Sequence, residues 1–409
     1  MIDYRSKVNC SEVKTPAFLV VTVVSVVSMF GTAVPSPLYP TYQGLWNFSP
    51  FILTVIFAVY VLTLLMTLLV VGNLSDHLGR RYVLMLGLGL TAGAMVIFAT
   101  AGGVADLVVA RAVQGGATGL IVGAISVTLV ELQPSARLGS LAIAAAPTVG
   151  LGFGAIVTGL LVEFAPAPRQ LVYLLLLGTI LLLMVALNRL PETSPILGFE
   201  SRRHFVRSLR PDVSVPKQTR RTFFAFSFAM VAIWALCGLQ LSLGSSIVRV
   251  LDPSSPLAPS FASGLFFLVG ALSSALATSS STRVGMALGL LCLAAGLFAM
   301  LAGIVYSDNL LYVGGSALTG SGFGSSFVSL IAGLSAITTP ESRRQVFASM
   351  FVVSYTGFSV PALVAGIVAT HIGLRPTAVV YVVILVVLVG LAGVASVYAR
   401  EPAEPTRPR

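Results

Sequence analysis

Residues 50–100 read PFILTVIFAVYVLTLLMTLLVV, then GNLSDHLGRR, then YVLMLGLGLTAGAMVIFAT. Two long uncharged apolar stretches flank a polar segment whose charged residues are Asp76, Arg80 and Arg81. Neither stretch alternates apolar and polar positions as a membrane barrel strand does. A continuous apolar run of about 20 residues satisfies every backbone group within one helix, so it can cross a bilayer. The pair is therefore read as two transmembrane helices joined by a polar loop.

The same pattern fills the chain. Of its 409 residues 56% are apolar and only 9% charged, where a soluble domain carries about 25%. The mean hydropathy of +0.97 agrees. A soluble enzyme and a disordered chain are both excluded. The 39 glycines and 22 prolines follow no short period, which excludes collagen and repeat arrays. Marking apolar runs between charges and turn residues gives twelve spans, at 16–36, 49–71, 82–102, 105–131, 140–163, 170–189, 222–244, 259–279, 284–305, 309–337, 346–370 and 376–398. The first is longer than a signal-peptide core of about 7–15 residues, so it is read as a retained helix.

With both termini cytoplasmic, twenty of the 24 basic residues fall inside, Arg169, Arg249 and Arg375 fall outside, and Arg111 lies within a span. This is a strong positive-inside bias. It supports the even helix count and explains the net charge of +10 without nucleic acid. The expected location is the plasma (inner) membrane, with many passes. Cys10, Cys237 and Cys292 show neither a disulfide framework nor metal-ligand spacing, and His77, His204 and His371 are far apart. No metal or other cofactor is expected. No phosphate-binding GxxxxGK[ST] loop occurs, which excludes drive by ATP.

The longest polar stretch, 190–221, divides the chain into a six-helix half at 1–189 and a second at 222–409 with a short tail. The halves look related. Arg81-Tyr-Val-Leu-Met-Leu-Gly-Leu pairs with Arg283-Val-Gly-Met-Ala-Leu-Gly-Leu, and Pro134-Ser-Ala-Arg137 pairs with Pro340-Glu-Ser-Arg343. Both pairs sit at matching places between spans. The fold class expected is an all-α membrane protein, with twelve transmembrane helices in two pseudosymmetric six-helix halves. Two related halves with a site between them suit alternating access.

The loop Gly72-Asn-Leu-Ser-Asp76-His-Leu-Gly79-Arg80-Arg81 resembles the loop 2–3 signature of the major facilitator superfamily: a Gly, an Asp four residues on, then Gly-Arg and a second basic residue. Twelve spans, a basic central loop and duplicated halves extend the resemblance over essentially the whole chain. Arg111-Ala-Val-Gln114-Gly-Gly-Ala-Thr-Gly119 in span four resembles the family's RxxQGxG pattern. Ala146-Pro147-Thr-Val-Gly150-Leu151-Gly152 in span five resembles the GPxxGG pattern of its drug or metabolite:proton antiporter branch, with Ala146 and Leu151 departing from it. Gly154 follows on the same helix.

The resemblance implies a gate. Gly72 permits close helix approach, Asp76 can cap a helix or pair with Arg, and Arg80 and Arg81 can form bidentate pairs with a carboxylate. Glu131, at the cytoplasmic end of span four, is a suitable partner. The family network at this place latches the two halves. The plainer alternative is a charge cluster that holds the loop at the headgroups. Arg111 lies a few residues inside span four, where it either snorkels to the outer headgroups, pairs with Asp106, or lines a cavity with Gln114. The resemblance places it in the substrate or proton pathway. Tyr39, Tyr60 and Gln240 are further candidates for that pathway, each of which could equally be a packed polar group. Pro147, Gly150 and Gly154 make span five pliable.

No Asp or Glu occurs near mid-depth in the first spans, which departs from antiporters that keep a buried acid in span one. This tilts the substrate toward neutral, amphipathic or anionic molecules. The expected function is a non-enzymatic one: secondary export of small organic compounds by proton antiport. The alternative is proton-coupled uptake of a small organic nutrient, and a non-transporting membrane sensor is the remote alternative. The expected partners are a small-molecule substrate, protons and the lipid bilayer, and the protein is expected to act as a monomer.

Overall fold

A computed structural model describes residues 2–71, 78–190, 192 and 213–398, and all regular structure in them is helical. The first half begins with α1 (Ile2–Ala33) and α2 (Pro35–Trp46). It continues with α3 (Pro50–Val71), α4 (Arg80–Ala99), α5 (Val104–Leu132), α6 (Ala136–Phe164) and α7 (Leu171–Asn188). The second half holds α8 (Arg220–Ser242), α9 (Gly244–Leu251), α10 (Ala258–Ala277), α11 (Thr282–Tyr306), α12 (Asn309–Ile337), α13 (Pro340–Ile372) and α14 (Leu374–Tyr398). Twelve segments are long and apolar enough to cross a bilayer, and each overlaps one expected span. Their outer faces carry bare apolar side chains such as Leu182 and Leu291, as lipid contact requires.

Two boundaries differ from expectation. The first span runs on to Trp46 instead of stopping near 36. Pro35 and Pro37 occupy the first turn of α2, where no backbone donor is needed. Val34 keeps helical angles and its amide still reaches the Phe30 carbonyl. After the seventh span, the expected loop contains the short helix α9 instead. It packs against α2, its counterpart after the first span.

Each half is held together by glycines that let helix backbones touch. Gly115 and Gly119 of α5 face the carbonyls of Tyr60 and Leu64 on α3. Gly320 and Gly324 of α12 face the carbonyls of Phe266 and Gly270 on α10. Gly320 lies 205 positions after Gly115, and Phe266 lies 206 after Tyr60. The α4–α5 contact repeats as well: Gly87 meets Ile121, and Gly289, at 202 positions on, meets Ser326. The duplication is thus a duplication of backbone seams. With lipid on the outside there is no hydrophobic force pressing helices together, so such close contact is what associates them.

The halves meet along one end of the bundle. At the α6–α10 crossing, a Cβ added to Gly152 would stand 3.0 Å from the Gly264 carbonyl oxygen, and one on Gly264 would stand 3.2 Å from that of Gly152. Phe57 of α3 meets Phe358 of α13 edge-on, with ring centroids 4.9 Å apart. The Ser36 hydroxyl donates to the Leu241 carbonyl, and the Ser246 hydroxyl donates to Gln43 Oε1 at 3.1 Å. This end carries the loops that were placed outside.

Candidate functional site: a one-sided cavity and a buried arginine

Towards the opposite end the halves part. Between them lies a cavity of about 1400 Å³, walled by α1, α3, α5 and α6 on one side and α8, α10, α12 and α13 on the other. It runs from Thr32, Tyr60 and Trp234 at its inner end to Arg137, Ser279 and Arg344 at its mouth. The mouth is at the end of the bundle that carries most of the basic residues, and both arginines are exposed. Arg137 and Arg344 are the charged side chains of the lining, which contains no Asp or Glu.

The two walls differ. The second half supplies an aromatic cluster around Trp234, whose ring centroid lies 5.2 Å from Tyr355, 5.4 Å from Phe358 and 5.9 Å from Phe327. The first half supplies small hydroxyls, among them Ser25, Thr118 and Thr148, together with the single ring of Tyr60. Pro147 also faces the cavity, while its neighbours Gly150 and Gly154 turn the other way. A Cβ on Gly154 would lie 2.5 Å from the Phe30 carbonyl oxygen, so these glycines seat α6 on α1.

Arg111 is 1% exposed and lies behind the inner end of the cavity, not in its wall. Its guanidinium donates to Tyr39 Oη from Nε (3.1 Å) and Nη2 (2.7 Å), and from Nη1 to the Thr32 carbonyl (3.1 Å) and Gln114 Oε1 (2.9 Å). The rings of Tyr60, Tyr39 and Phe98 lie 5.3–5.9 Å from it, a cation–π arrangement. Gln114 is itself fixed by donating to the Gly31 carbonyl at 2.7 Å. Arg111 neither snorkels nor pairs with Asp106, which accepts from the Gly102 amide instead. Every named partner is neutral, so a permanent positive charge is solvated by dipoles and ring faces alone. Two of its contacts, Tyr60 and Thr32, whose hydroxyls are 3.3 Å apart, also line the cavity. Of the expected pathway residues, Arg111, Gln114, Tyr39 and Tyr60 come together. Gln240 does not. It is fully buried behind the opposite wall, donates to Ser316 at 3.0 Å, and leaves its Oε1 without a hydrogen bond.

The expected gate is assembled in part. Gly72 and Asp76 lie outside the described residues. Arg80 grips Glu131 with Nε at 3.0 Å from each carboxylate oxygen and Nη2 at 2.9 Å. Arg81 donates from Nη1 to the Leu190 carbonyl at 2.9 Å and also to Asn188. Glu192 is a participant the sequence did not single out. Its carboxylate accepts from the backbone amides of Arg80 (2.8 Å) and Arg81 (3.1 Å) at the start of α4, where a helix terminus favours an anion. Gly79, with φ of 91°, allows this approach, since a Cβ there would sit 2.7 Å from Glu192 Oε2. These contacts clip α4, α5 and the chain beyond α7 together. All belong to the first half and the start of the linker, so here they join helix ends within a half and not across the cavity.

Comparison with known proteins adds to this geometry. The family model described as Major Facilitator Superfamily matches residues 21–283. Comparison with curated protein sequences gives no match. Among solved structures, the human organic anion transporter MFSD10 (TETRAN) is similar with a TM-score of 0.64 at 16% identity, over 93% of this chain and 99% of that one. A mutant of the nucleoside transporter NupG is similar with a TM-score of 0.68 at 15% identity, over 94% of this chain and 98% of that one. At such identities the likeness is one of fold.

Proposed function

Since this chain belongs to the Major Facilitator Superfamily, we propose that it exports a small organic compound across the plasma membrane by alternating access, in exchange for protons. The observation that carries this reading is the one-sided cavity. A volume of about 1400 Å³ exceeds that of a typical drug-sized pocket, about 300–1,000 Å³, and it ends blindly at the seam between the halves. Rocking the halves about that blind end opens the α6–α10 crossing and closes the mouth. The basic residues around the mouth support a cytoplasmic placement by the positive-inside rule, and in the export reading the substrate enters from that side. In this reading the protein is a monomer with both termini cytoplasmic.

For the proton, we assign Glu131. It is the acid at the mouth-side end of α5, and it is held by Arg80. One charge falling through 100 mV supplies about 2.3 kcal/mol. At about 1.4 kcal/mol per tenfold, that sustains a substrate gradient of roughly 50-fold.

The test is a screen of labelled organic compounds in inverted membrane vesicles, with and without an imposed pH gradient. Export by antiport gives accumulation in the vesicle lumen that collapses when the gradient is dissipated. Accumulation indifferent to the gradient overturns proton antiport, and accumulation only in right-side-out vesicles makes the protein an importer.

A further inference from the structure

We propose that the substrate class is a flat aromatic organic anion. This deepens the transport reading and rests on it. Three observations converge. First, the aromatic rings lie almost wholly on one wall. Trp234, Phe323, Phe327, Tyr355 and Phe358 line the cavity from the second half, against Tyr60 alone from the first. Their tilted and edge-on packing around Trp234 leaves a broad apolar surface on which a planar ring stacks. Secondly, the facing wall carries hydroxyls, which accept and donate hydrogen bonds to a polar head group. Thirdly, the charges along the path are all of one sign. Arg137 and Arg344 stand at the mouth, one from each half, and Arg111 stands behind Tyr60 and Thr32 at the inner end. The acids whose side chains the structure describes (Asp106, Glu131, Glu163, Glu192, Asp252 and Asp308) are all at helix ends or between helices, and none of them lines the cavity. An organic cation would meet repulsion at both ends of the cavity and no counter-charge between them. An anion is attracted at the mouth and held under the field of a guanidinium that no described carboxylate neutralises.

The orientation follows: ring on the Trp234 wall, anionic group toward Thr32 and Tyr60. Export then gains a second driving force, because a monoanion leaving a negative-inside cell moves down the membrane potential.

The test uses one ring with three charges. With Trp46 replaced by Phe, Trp234 becomes the only tryptophan of the chain and transfers energy to a bound pyrene. Titrating the purified protein in a neutral detergent with 1-pyrenesulfonate, 1-pyrenemethanol and (1-pyrenylmethyl)trimethylammonium should give a sulfonate Kd at least about tenfold lower than that of the ammonium probe, or about 1.4 kcal/mol. The Arg111→Gln variant should narrow that gap. Equal or tighter binding of the ammonium probe overturns the proposal, whether or not the variant folds. So does the absence of Trp234 quenching by all three probes while other compounds still cross vesicles, and in that case the transport reading stands. If instead the sulfonate binds with the expected preference but is not moved in proteoliposomes, the substrate site survives and the transport reading fails.

Discussion

Gly115 and Gly116 are neighbours on α5, yet replacing each with alanine should move stability in opposite directions. A Cβ on Gly115 points into α3. It overlaps the Thr63 hydroxyl and the Tyr60 carbonyl oxygen, with the Tyr60 carbonyl carbon at 3.0 Å. The hydroxyl can rotate away, but the carbonyl belongs to the helix and cannot. Overpacking of this kind costs about 1–3 kcal/mol, offset by the about 0.8–1 kcal/mol that alanine gains over glycine inside a helix. The net loss is up to about 2 kcal/mol. For a unit the size of one half, about 2–4 °C per kcal/mol makes this a fall of up to about 8 °C in the thermal midpoint. On Gly116 the nearest atom is Thr67 Oγ1 at 3.6 Å, an ordinary contact, so alanine there is neutral or raises the midpoint by a few degrees. Thermal unfolding of both variants in one detergent is the assay, with Gly115→Ala in a Thr63→Ala background as a third arm that restores part of the loss. Equal shifts of the same sign in the two single variants would refute the backbone-seam argument. Because Tyr60 lines the cavity, Gly115→Ala should also slow transport where Gly116→Ala does not.

Arg111→Ala should abolish transport while leaving membrane insertion intact, and Arg111→Lys should not restore it. A single ammonium cannot span Tyr39, Thr32 and Gln114 as the forked guanidinium does; flux into loaded vesicles measures both. Glu131→Gln should keep exchange of labelled for unlabelled substrate but lose stimulation by a pH gradient, and full stimulation would remove Glu131 from the coupling path. Asp76→Asn should impair net transport with normal expression, checked in the same vesicles. Gly264→Leu cannot pack against Gly152 and Ile156, so it should disfavour the conformation described here. A cysteine placed at Ser140, on the cavity lining, in a background with Cys10, Cys237 and Cys292 all replaced by alanine should then react several-fold more slowly with an impermeant maleimide from the cytoplasmic side.

The fold was largely legible in the sequence because a bilayer leaves few choices. Runs of uncharged residues and the sidedness of arginine set twelve spans and their order, and the repeated segments at Arg81 and Arg283 announced the duplication. The helices α2 and α9 escaped because prolines at 35, 37 and 40, and the polar residues after 244, read as loop. Only tertiary contact between the two helices makes them helical caps for the sealed end. At the site, Arg111 with Gln114 one turn on was legible as a polar stripe, and the structure adds Tyr39 and Tyr60 to it. Gln240 carried the same composition signal and was placed elsewhere, because period alone does not tell which neighbouring helix a polar side chain faces. Glu192 was hidden for a similar reason. It lies 112 residues from the amide it caps, and nothing local marks the pairing. Trp234, Tyr355 and Tyr60 were legible together as an aromatic, mildly polar pocket, whereas Phe323, Phe327 and Phe358 gave no signal because phenylalanine is common in any apolar span.

The glycine seams bear on how fast such a molecule can work. Where two helices meet carbonyl against bare Cα, no rotamers lie between them to be reshuffled. If the halves rock as proposed, each bundle therefore swings like a single casting, little energy is dissipated inside it, and the friction of the cycle resides in the thin line along which the castings touch. Changes in turnover speed that leave substrate choice alone should accordingly cluster at Gly152, Gly264 and the Phe57–Phe358 contact.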